Sequence, residues 1–292
     1  MCIVLPVCGL LNNTGANRPP LSLRLSPRAG GGVLYNSTAS CQMNGQLRVM
    51  GFCGADDSVD PRMLVALSRQ YGWLEWGVIF RPDKQGEPRY ASPAWVERLA
   101  AARRASGEAP VRLAAHLCST RVDEVLREDA TFLQELRGLG FARVQINATA
   151  INGVDMSLVS APGASAKLLA VINAVPEVEF ILQRNAQTLP LLDPILAKGT
   201  PPNVSVLFDE SMGTGVLSPF PPPLAGVRCG FAGGLGPANI EETLRALLVD
   251  GSSFWVDMES SLRTRTEDGT DVFDVSKCFA CAMVAVELGL QS

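Results

Sequence analysis

Two side chains that can donate or accept a proton each come immediately after an apolar run of this sequence. Cys53 comes at the end of Leu47–Phe52, and Asp209 at the end of Val204–Phe208. A thiol beside a polar opening becomes a base or nucleophile once it is a thiolate. A carboxyl group after a buried run suits general acid catalysis because desolvation favours its protonated form. We therefore expect a catalytic pair; in the alternative, Cys53 packs in the core and Asp209 caps its loop.

A glycine-rich turn supplies a second kind of chemistry. Gly233 and Gly234 lie in the segment Ala-Gly-Gly-Leu-Gly-Pro, and Pro237 suits the first turn of a helix. Backbone N–H groups of such a turn, together with the helix N-terminus, form an anion site. We expect Gly233 and Gly234 to bind a phosphate, with Thr214 of a Gly-Thr-Gly segment donating to a ligand oxygen.

Two further polar residues are placed to meet a ligand. Arg89 precedes Ser92-Pro93, a typical helix start, so it lies on a loop where its guanidinium can take a carboxylate or phosphate. His116 is the only histidine and closes an apolar run. Arg89 is either a ligand contact or a solvated charge, and His116 either a site residue or a structural one.

Eight apolar runs, each typical of a buried strand, alternate with helix-compatible stretches. We expect these elements to position the side chains named above. The strand candidates are 47–52, 74–80, 111–117, 142–147, 178–183, 204–208, 227–231 and 253–258, and the helix candidates are 61–71, 93–105, 122–137, 164–174, 188–197, 237–249 and 274–288. This pattern predicts a (β/α)8 TIM barrel over residues 46–292, with a doubly wound open sheet as the alternative. The proline run at 219–223 predicts that the helix between strands six and seven is reduced.

Composition limits the class of protein. The chain has 292 residues, 47% of them apolar, and a net charge of −4, which argues against a nucleic-acid binder. No apolar run reaches the ~18 residues that span a bilayer. Residues 1–45 contain arginine but no acid, which indicates either a transit peptide or a disordered extension. We expect a cytoplasmic protein, or one of an organelle stroma if that segment is cleaved.

The cysteines fit a reducing compartment. Eight are spread over a chain too long to need disulfides, so we interpret them as thiols. Cys278 and Cys281 form a Cys-x-x-Cys pair without a matching second pair, which favours packing over a zinc or redox role.

In their order along the chain these motifs resemble phosphoribosylanthranilate isomerases. The resemblance rests on Cys53-Gly54, the segment 88–93 around Arg89, Asp209 with the Gly-Thr-Gly at 213–215, the turn at 232–239, and Val256-Asp257. It implies a barrel enzyme that converts an aldose to a ketose by an Amadori rearrangement. Cys53 would be the base, Asp209 the acid, and the substrate a small phosphorylated molecule. It implies no metal and no organic cofactor, in a monomer or homodimer.

Three segments depart from that family's pattern. Gly51 replaces a lysine, Asn147 and its neighbours replace a segment containing histidine, and the Ser-Gly after strand eight becomes Ser260-Ser261. Ser260, Ser261 and Arg263 can still bind an anion through their side chains. The alternatives are a divergent barrel enzyme that uses Cys53 and Asp209 on another substrate, or a catalytically silent barrel that binds a phosphate ligand.

Overall fold

Eight parallel strands close into a barrel in the order in which they occur along the chain. The structure is a computed structural model, and it describes residues 45–107, 110–209, 220–249 and 251–291. The strands are β1 Gln46–Cys53, β2 Leu74–Phe80, β3 Arg112–Leu117, β4 Arg143–Ile146, β5 Glu179–Arg184, β6 Val204–Phe208, β7 Arg228–Phe231 and β8 Ser253–Met258. The barrel prediction is confirmed, and the doubly wound sheet is wrong.

Each strand lies within one residue of its predicted bounds at either end. The agreement has a simple cause, because a parallel strand covered on both faces is a continuous apolar run. In β2 and β6 every residue is buried. One face of each strand packs against the surrounding helices, and the other fills the barrel interior.

The helices surround the barrel; two of the predicted helices differ from expectation, and a short helix over residues 156–159 was not predicted. They are α1 Pro61–Gln70, α2 Pro93–Ala105, α3 Thr120–Leu126, α4 Thr131–Leu139, α5 Met156–Val159, α6 Ala164–Ala174, α7 Leu189–Ala197, α8 Ile240–Leu248 and α9 Val275–Glu287. The single helix expected over 122–137 is broken at Glu128, whose φ is +65°. The helix expected from Pro237 begins only at Ile240, so the glycine turn does not lead directly into a helical first turn.

The connection between β6 and β7 is only partly described. Residues 220–227 contain no helix, in agreement with the expected effect of the proline run. Residues 210–219, including Thr214, lie outside the described residues, as do residues 1–44. Within the described part of the chain, no helix is long and apolar enough to cross a membrane.

A short hairpin follows β8 and was not predicted. It pairs β9 Arg263–Arg265 with β10 Asp271–Phe273 in antiparallel register. From there α9 returns along the barrel with Cys278 and Cys281 fully buried. Burial raises the pKa of both thiols, that of Cys281 to about 12, which fits packing and not thiolate chemistry.

Candidate functional site

A cavity of about 340 Å³ opens at the carboxyl ends of the barrel strands, and all eight strands or the loops that follow them line it. In this fold that end carries the catalytic loops. Seven of the predicted site residues line this cavity, namely Cys53, His116, Asp209, Gly233, Gly234, Ser260 and Ser261. The expected acid and the expected base therefore face the same space, which we call the mouth.

The Cys53 thiol makes a hydrogen bond with His116 inside the mouth. Its Sγ lies 3.2 Å from Nδ1 of His116, and both side chains are buried. Burial, and then the charges of Glu259 and Asp257, hold the pKa of Cys53 well above its usual value. Burial, helped by the positive charge of Arg143, lowers the pKa of His116 to about 3. These shifts favour a thiol beside a neutral imidazole in the resting protein over the expected thiolate.

The structure places His116 in the candidate site, a point that its position in the sequence left open. It comes from β3, and its neighbour in the barrel interior is the thiol at the end of β1. In the tautomer that carries the ring proton on Nε2, the thiol donates to Nδ1. The imidazole is thus placed to receive the proton when the thiol ionises.

Two carboxyl groups from β8 and its loop face the same cavity. Burial, and then the charges of Glu75 and Glu259, raise the pKa of Asp257 well above its usual value. Burial also raises the pKa of Glu259, and Asp209 adds to the effect. Sequence reasoning missed Asp257 as a mouth residue. Side chains of a strand point alternately to its two faces, and Trp255, two residues earlier in β8, faces the barrel interior. Asp257 therefore points inward as well.

Amide side chains complete the wall between β4 and β6. Gln183 Nε2 donates to Oδ2 of Asp209 at 3.1 Å, and the buried Oε1 of Gln183 has no hydrogen-bond donor among the described residues. Gln145 Nε2 donates to Oδ1 of Asn147 at 2.7 Å, and Asn147 Nδ2 donates to the Cys118 sulfur at 3.4 Å. This wall offers both donors and acceptors to a hydroxylated ligand.

Arg89 does not point a free guanidinium at the mouth. Its Nη1 forms an ion pair with Oε1 of Glu259 at 2.8 Å and donates to Ser260 Oγ at 3.4 Å. The backbone of Arg89 has a φ of +81°, a conformation that its amide keeps by donating to Asp56 Oδ2. Arg89 lies on the predicted loop, and its partner in the structure is a carboxylate of the protein itself.

Arg263 was expected to bind an anion, and the structure places it elsewhere. The side chain is buried, with Nη1 at 2.8 Å from Oδ2 of Asp56 and Nε at 3.0 Å from Oδ1 of Asp271. Nη1 also donates to the carbonyl oxygen of Gly54 at 2.9 Å. Because Asp56 follows β1, Arg263 joins the loops after the first and last barrel strands, and its guanidinium is bonded within the protein.

The glycine turn borders the mouth as expected. Gly233 and Gly234 have φ values of +98° and +69°, which side chains with a Cβ rarely adopt. Asn239 holds the turn, because its Oδ1 accepts from the Gly236 amide at 2.9 Å and its Nδ2 donates to the Gly234 carbonyl at 2.8 Å. Ser261 Oγ donates to the carbonyl oxygen of Leu235, so this hydroxyl already has an acceptor.

One group of donors in the mouth is compact enough to meet a small cation. The Cys53 sulfur, a ring nitrogen of His116 and a carboxylate oxygen of Asp257 lie within 4.8 Å of one another. The thiol-to-imidazole hydrogen bond already satisfies two of the three without an ion. That the protein works without metal or organic cofactor stays a prediction.

Comparisons with known proteins show a similarity of fold and nothing finer. No family model and no curated protein matches the sequence. Among solved structures, the chain is similar to N-(5'-phosphoribosyl)anthranilate isomerase from Pyrococcus furiosus, with 14% identity over 82% of this chain and 98% of that one and a TM-score of 0.46. It is also similar to a D-psicose 3-epimerase, with 14% identity over 82% and 100% of the two chains and a TM-score of 0.45. An AP endonuclease from Brucella melitensis follows, with 12% identity over 76% and 96% and a TM-score of 0.42.

Proposed function

We propose that this barrel is an aldose–ketose isomerase that acts on a small phosphosugar by acid–base catalysis. The observation that carries the proposal is the Cys53–His116 hydrogen bond in a cavity that Asp209 also lines. A thiol with a ready proton acceptor, facing a carboxyl group, suits removal of a proton from carbon and delivery of another to oxygen. The motifs shared with phosphoribosylanthranilate isomerases support the same assignment.

The proton shift from Cys53 to His116 makes the base. Burial disfavours the thiolate and the imidazolium when each forms alone, as their shifted pKa values indicate. Formed together 3.2 Å apart, the two charges attract each other in a site shielded from water, so the pair costs less than its parts. Substrate that displaces water from the mouth strengthens this attraction.

The acidic residues of the mouth suit a cationic intermediate. Asp209, Asp257 and Glu259 line the cavity, and Arg89 is paired with Glu259. An Amadori rearrangement passes through a protonated imine, whose positive charge such carboxyl groups stabilise. The same positive charge next to Cys53 lowers the cost of its thiolate.

The proposed sequence of steps balances its protons within these residues. Asp209 donates a proton to the ring oxygen of an aminated sugar, and the bond between C1 and that oxygen breaks to leave a protonated imine. His116 takes the thiol proton, and the Cys53 sulfur removes the proton from C2. The electron pair forms the C1–C2 double bond, and the imine electrons return to nitrogen. Asp209 then takes the proton from O2 while His116 returns its proton to C1, which gives the aminoketone.

The phosphate of such a substrate would be held by the backbone of Gly233 and Gly234. With Arg89, Ser261 and Arg263 already bonded within the protein, side-chain charge adds little to this contact. That observation favours a second candidate, the same proton transfers on a sugar that carries no phosphate. The amide wall of Gln183 and Asn147 suits the hydroxyl groups of either substrate.

Deuterium uptake tests the chemistry across a panel of candidate substrates. The full chain is incubated in D2O with aldoses, their phosphates and the corresponding glycosylamines, including phosphoribosylanthranilate, and products are followed by proton NMR. We expect a new ketose with deuterium at C1, and loss of anthranilate-type fluorescence with the last substrate. Cys53→Ser and Asp209→Asn should each lower kcat by about 10²–10⁴-fold. Cys229→Ala in β7 and Asp193→Asn, an exposed residue of α7, serve as matched controls outside the mouth.

Each outcome decides between the candidates. Turnover of phosphosugars alone supports the first candidate, and turnover of both kinds with equal kcat/KM supports the second. If no sugar exchanges deuterium, or if Cys53→Ser retains full activity, the acid–base assignment is wrong and the barrel is silent or uses other chemistry.

A further inference from the structure

The opposite end of the barrel contains a second cavity, distinct from the mouth. It has a volume of about 690 Å³ and is lined by the first residues of several strands. Among them are Arg112 of β3, Arg143 of β4, Glu179 of β5 and Arg228 of β7. We call this cavity the lower cavity. In this fold the amino-terminal end of the strands does not carry the catalytic loops, so a ligand there would not be the substrate.

Positive charge is concentrated in the lower cavity of a protein that is negative overall. Arg48, Arg112, Arg143 and Arg228 line it together with one carboxylate, Glu179. A second carboxylate, Glu75, pairs with Arg143 at 2.7 Å from within the barrel. The cavity therefore has four guanidinium groups and two carboxylates, whereas the whole chain has a net charge of −4. Charges of one sign around a concave surface favour a ligand of the opposite sign.

Two of these arginines have no carboxylate partner among the described residues. Arg48 Nε donates to Ser253 Oγ at 2.6 Å, and Arg112 Nε donates to the carbonyl oxygen of Gly72 at 2.8 Å. Each bond fixes one nitrogen of the guanidinium and leaves its terminal nitrogens for another acceptor. Arg228 likewise donates to the carbonyl oxygen of Pro202, at 2.7 Å, while its Nη1 is 3.6 Å from Glu179.

The floor of the lower cavity holds two buried donors that lack acceptors among the described residues. Arg143 is 8% exposed, lies over the ring of Trp255 at 4.6 Å, and its Nε has no hydrogen-bond partner. Trp73 is 7% exposed, lines the same cavity, and its Nε1 also has no partner. Buried donors without acceptors are uncommon in folded proteins and raise the free energy of the site. Both nitrogens are covered from solvent, so the groups that an anion in this cavity can contact directly are the exposed guanidinium groups of Arg48, Arg112 and Arg228.

We propose that the lower cavity is a binding site for a phosphate group, free or carried by a small molecule. Guanidinium groups bind tetrahedral oxyanions through paired N–H donors, and several strands here present such groups around one space. The cavity is larger than a single phosphate needs, so a phosphorylated small molecule fits it as well. The ligand would stabilise the barrel from the end opposite the mouth.

Titration of the full chain with inorganic phosphate at low ionic strength, followed by isothermal calorimetry and by the unfolding midpoint, tests this site. We expect saturable binding that the double variant Arg112→Gln/Arg228→Gln weakens at least tenfold, with an unchanged circular dichroism spectrum. Arg48→Gln provides a second, independent variant with the same direction of effect. Arg104→Gln, an exposed arginine of α2, is the matched control and should bind as the unmodified chain does.

Comparison of probes separates the sources of the phosphate group. Tighter binding of a sugar phosphate than of inorganic phosphate, lost in the same double variant, identifies a phosphorylated small molecule as ligand. Equal binding of the two identifies the free ion. The proposal is overturned if phosphate does not bind, if the double variant binds it as well as the unmodified chain, or if Arg104→Gln weakens binding equally. None of these outcomes depends on turnover at the mouth.

Discussion

The carboxyl group of Asp257 occupies the space that a side chain at Gly51 would fill. A Cβ on Gly51 would lie 2.5 Å from Oδ1 of Asp257, and the two residues are register partners in β1 and β8. The departure from a lysine at position 51 is therefore coupled to a half-buried acid on the neighbouring strand. Glycine here makes room for a carboxyl group beneath Cys53, and that group contributes to the raised pKa of the thiol.

Gly51→Ala should destabilise the protein because the added methyl group collides with the half-buried carboxyl group of Asp257. We expect a loss of about 1–3 kcal/mol in the free energy of unfolding, as for other overpacked cores. In an Asp257→Ala background the same substitution should cost much less. Urea unfolding of the four proteins in this double-mutant cycle measures the coupling. Additive effects would mean that the two positions do not share this space.

Glu259→Gln should make the Cys53 thiol more acidic. After burial, Glu259 is the strongest cause of the raised pKa of Cys53, and its neutralisation leaves the positive charge of Arg89 nearby. The rate of iodoacetamide alkylation at Cys53, followed against pH by peptide mass mapping, should rise at lower pH than in the unmodified protein. Cys118, with a pKa raised to about 12 by burial, is an internal reference. An equal shift in Glu267→Gln, an exposed residue of the hairpin, would contradict the local cause.

His116 should make the protein less stable as the pH falls. Its pKa is lowered from 6.5 to about 3 in the folded state, so between these values the unfolded chain binds a proton that the folded protein does not. Stability is unaffected by this group above pH 6.5 and falls by about 1.4 kcal/mol per pH unit below it. The titratable groups that face the ring are Cys53 and Asp257, and Arg143 contributes a fixed charge.

The His116 effect is measured as a difference between two proteins. Asp257 and Glu259 have raised pKa values and act in the opposite direction, because protonation of the folded protein stabilises it as the pH falls. Urea unfolding of unmodified protein and His116→Asn at pH 7.5 and 5.0 separates the terms. The unmodified protein should lose about 2 kcal/mol more than the variant over this range. Parallel losses in both proteins would show that His116 is not the titrating group.

Arg263→Met should cost far more stability than Arg265→Met. Arg263 is buried between Asp56 and Asp271, and its removal leaves the first of these carboxylates buried without its cation. Loss of one partner of a buried pair typically costs about 3–5 kcal/mol. Arg265 is exposed on the same short strand and controls for the hairpin. Thermal unfolding of the two variants measures the difference in stability. Equal midpoints would contradict the structural role assigned to Arg263.

The barrel itself was predictable because its signal is local. Buried parallel strands are continuous apolar runs, and each of the eight was recognisable within its own few residues. The hairpin after β8 also had a local signal that went unused, since Asp268-Gly269 between Arg265 and Asp271 is a typical hairpin turn. The break at Glu128 had none, because a glutamate with positive φ is not a recognisable turn residue.

The pairing of charges at the mouth was not predictable in the same way. Cys53, Asp209 and His116 were placed by the rule that strand ends face one opening, and the structure brings all three to one cavity. The partners of Arg89 and Arg263 depend on which loops meet in space. The residues next to each arginine in the sequence do not indicate which loops these are. For the same reason the raised pKa of the Cys53 thiol could not be predicted, since its environment comes from β3 and β8.

The contact between Asp56 and Arg263 has a consequence for the order in which the protein folds. The two residues are separated by 207 positions along the chain, and they join the ends of β1 and β8. Contacts between such distant residues form late, because a large loop must close before they are made. Cys53 and Asp257 depend on the same closure. We therefore expect the mouth to form only in the last stage of folding, when nearly the whole chain is already in place.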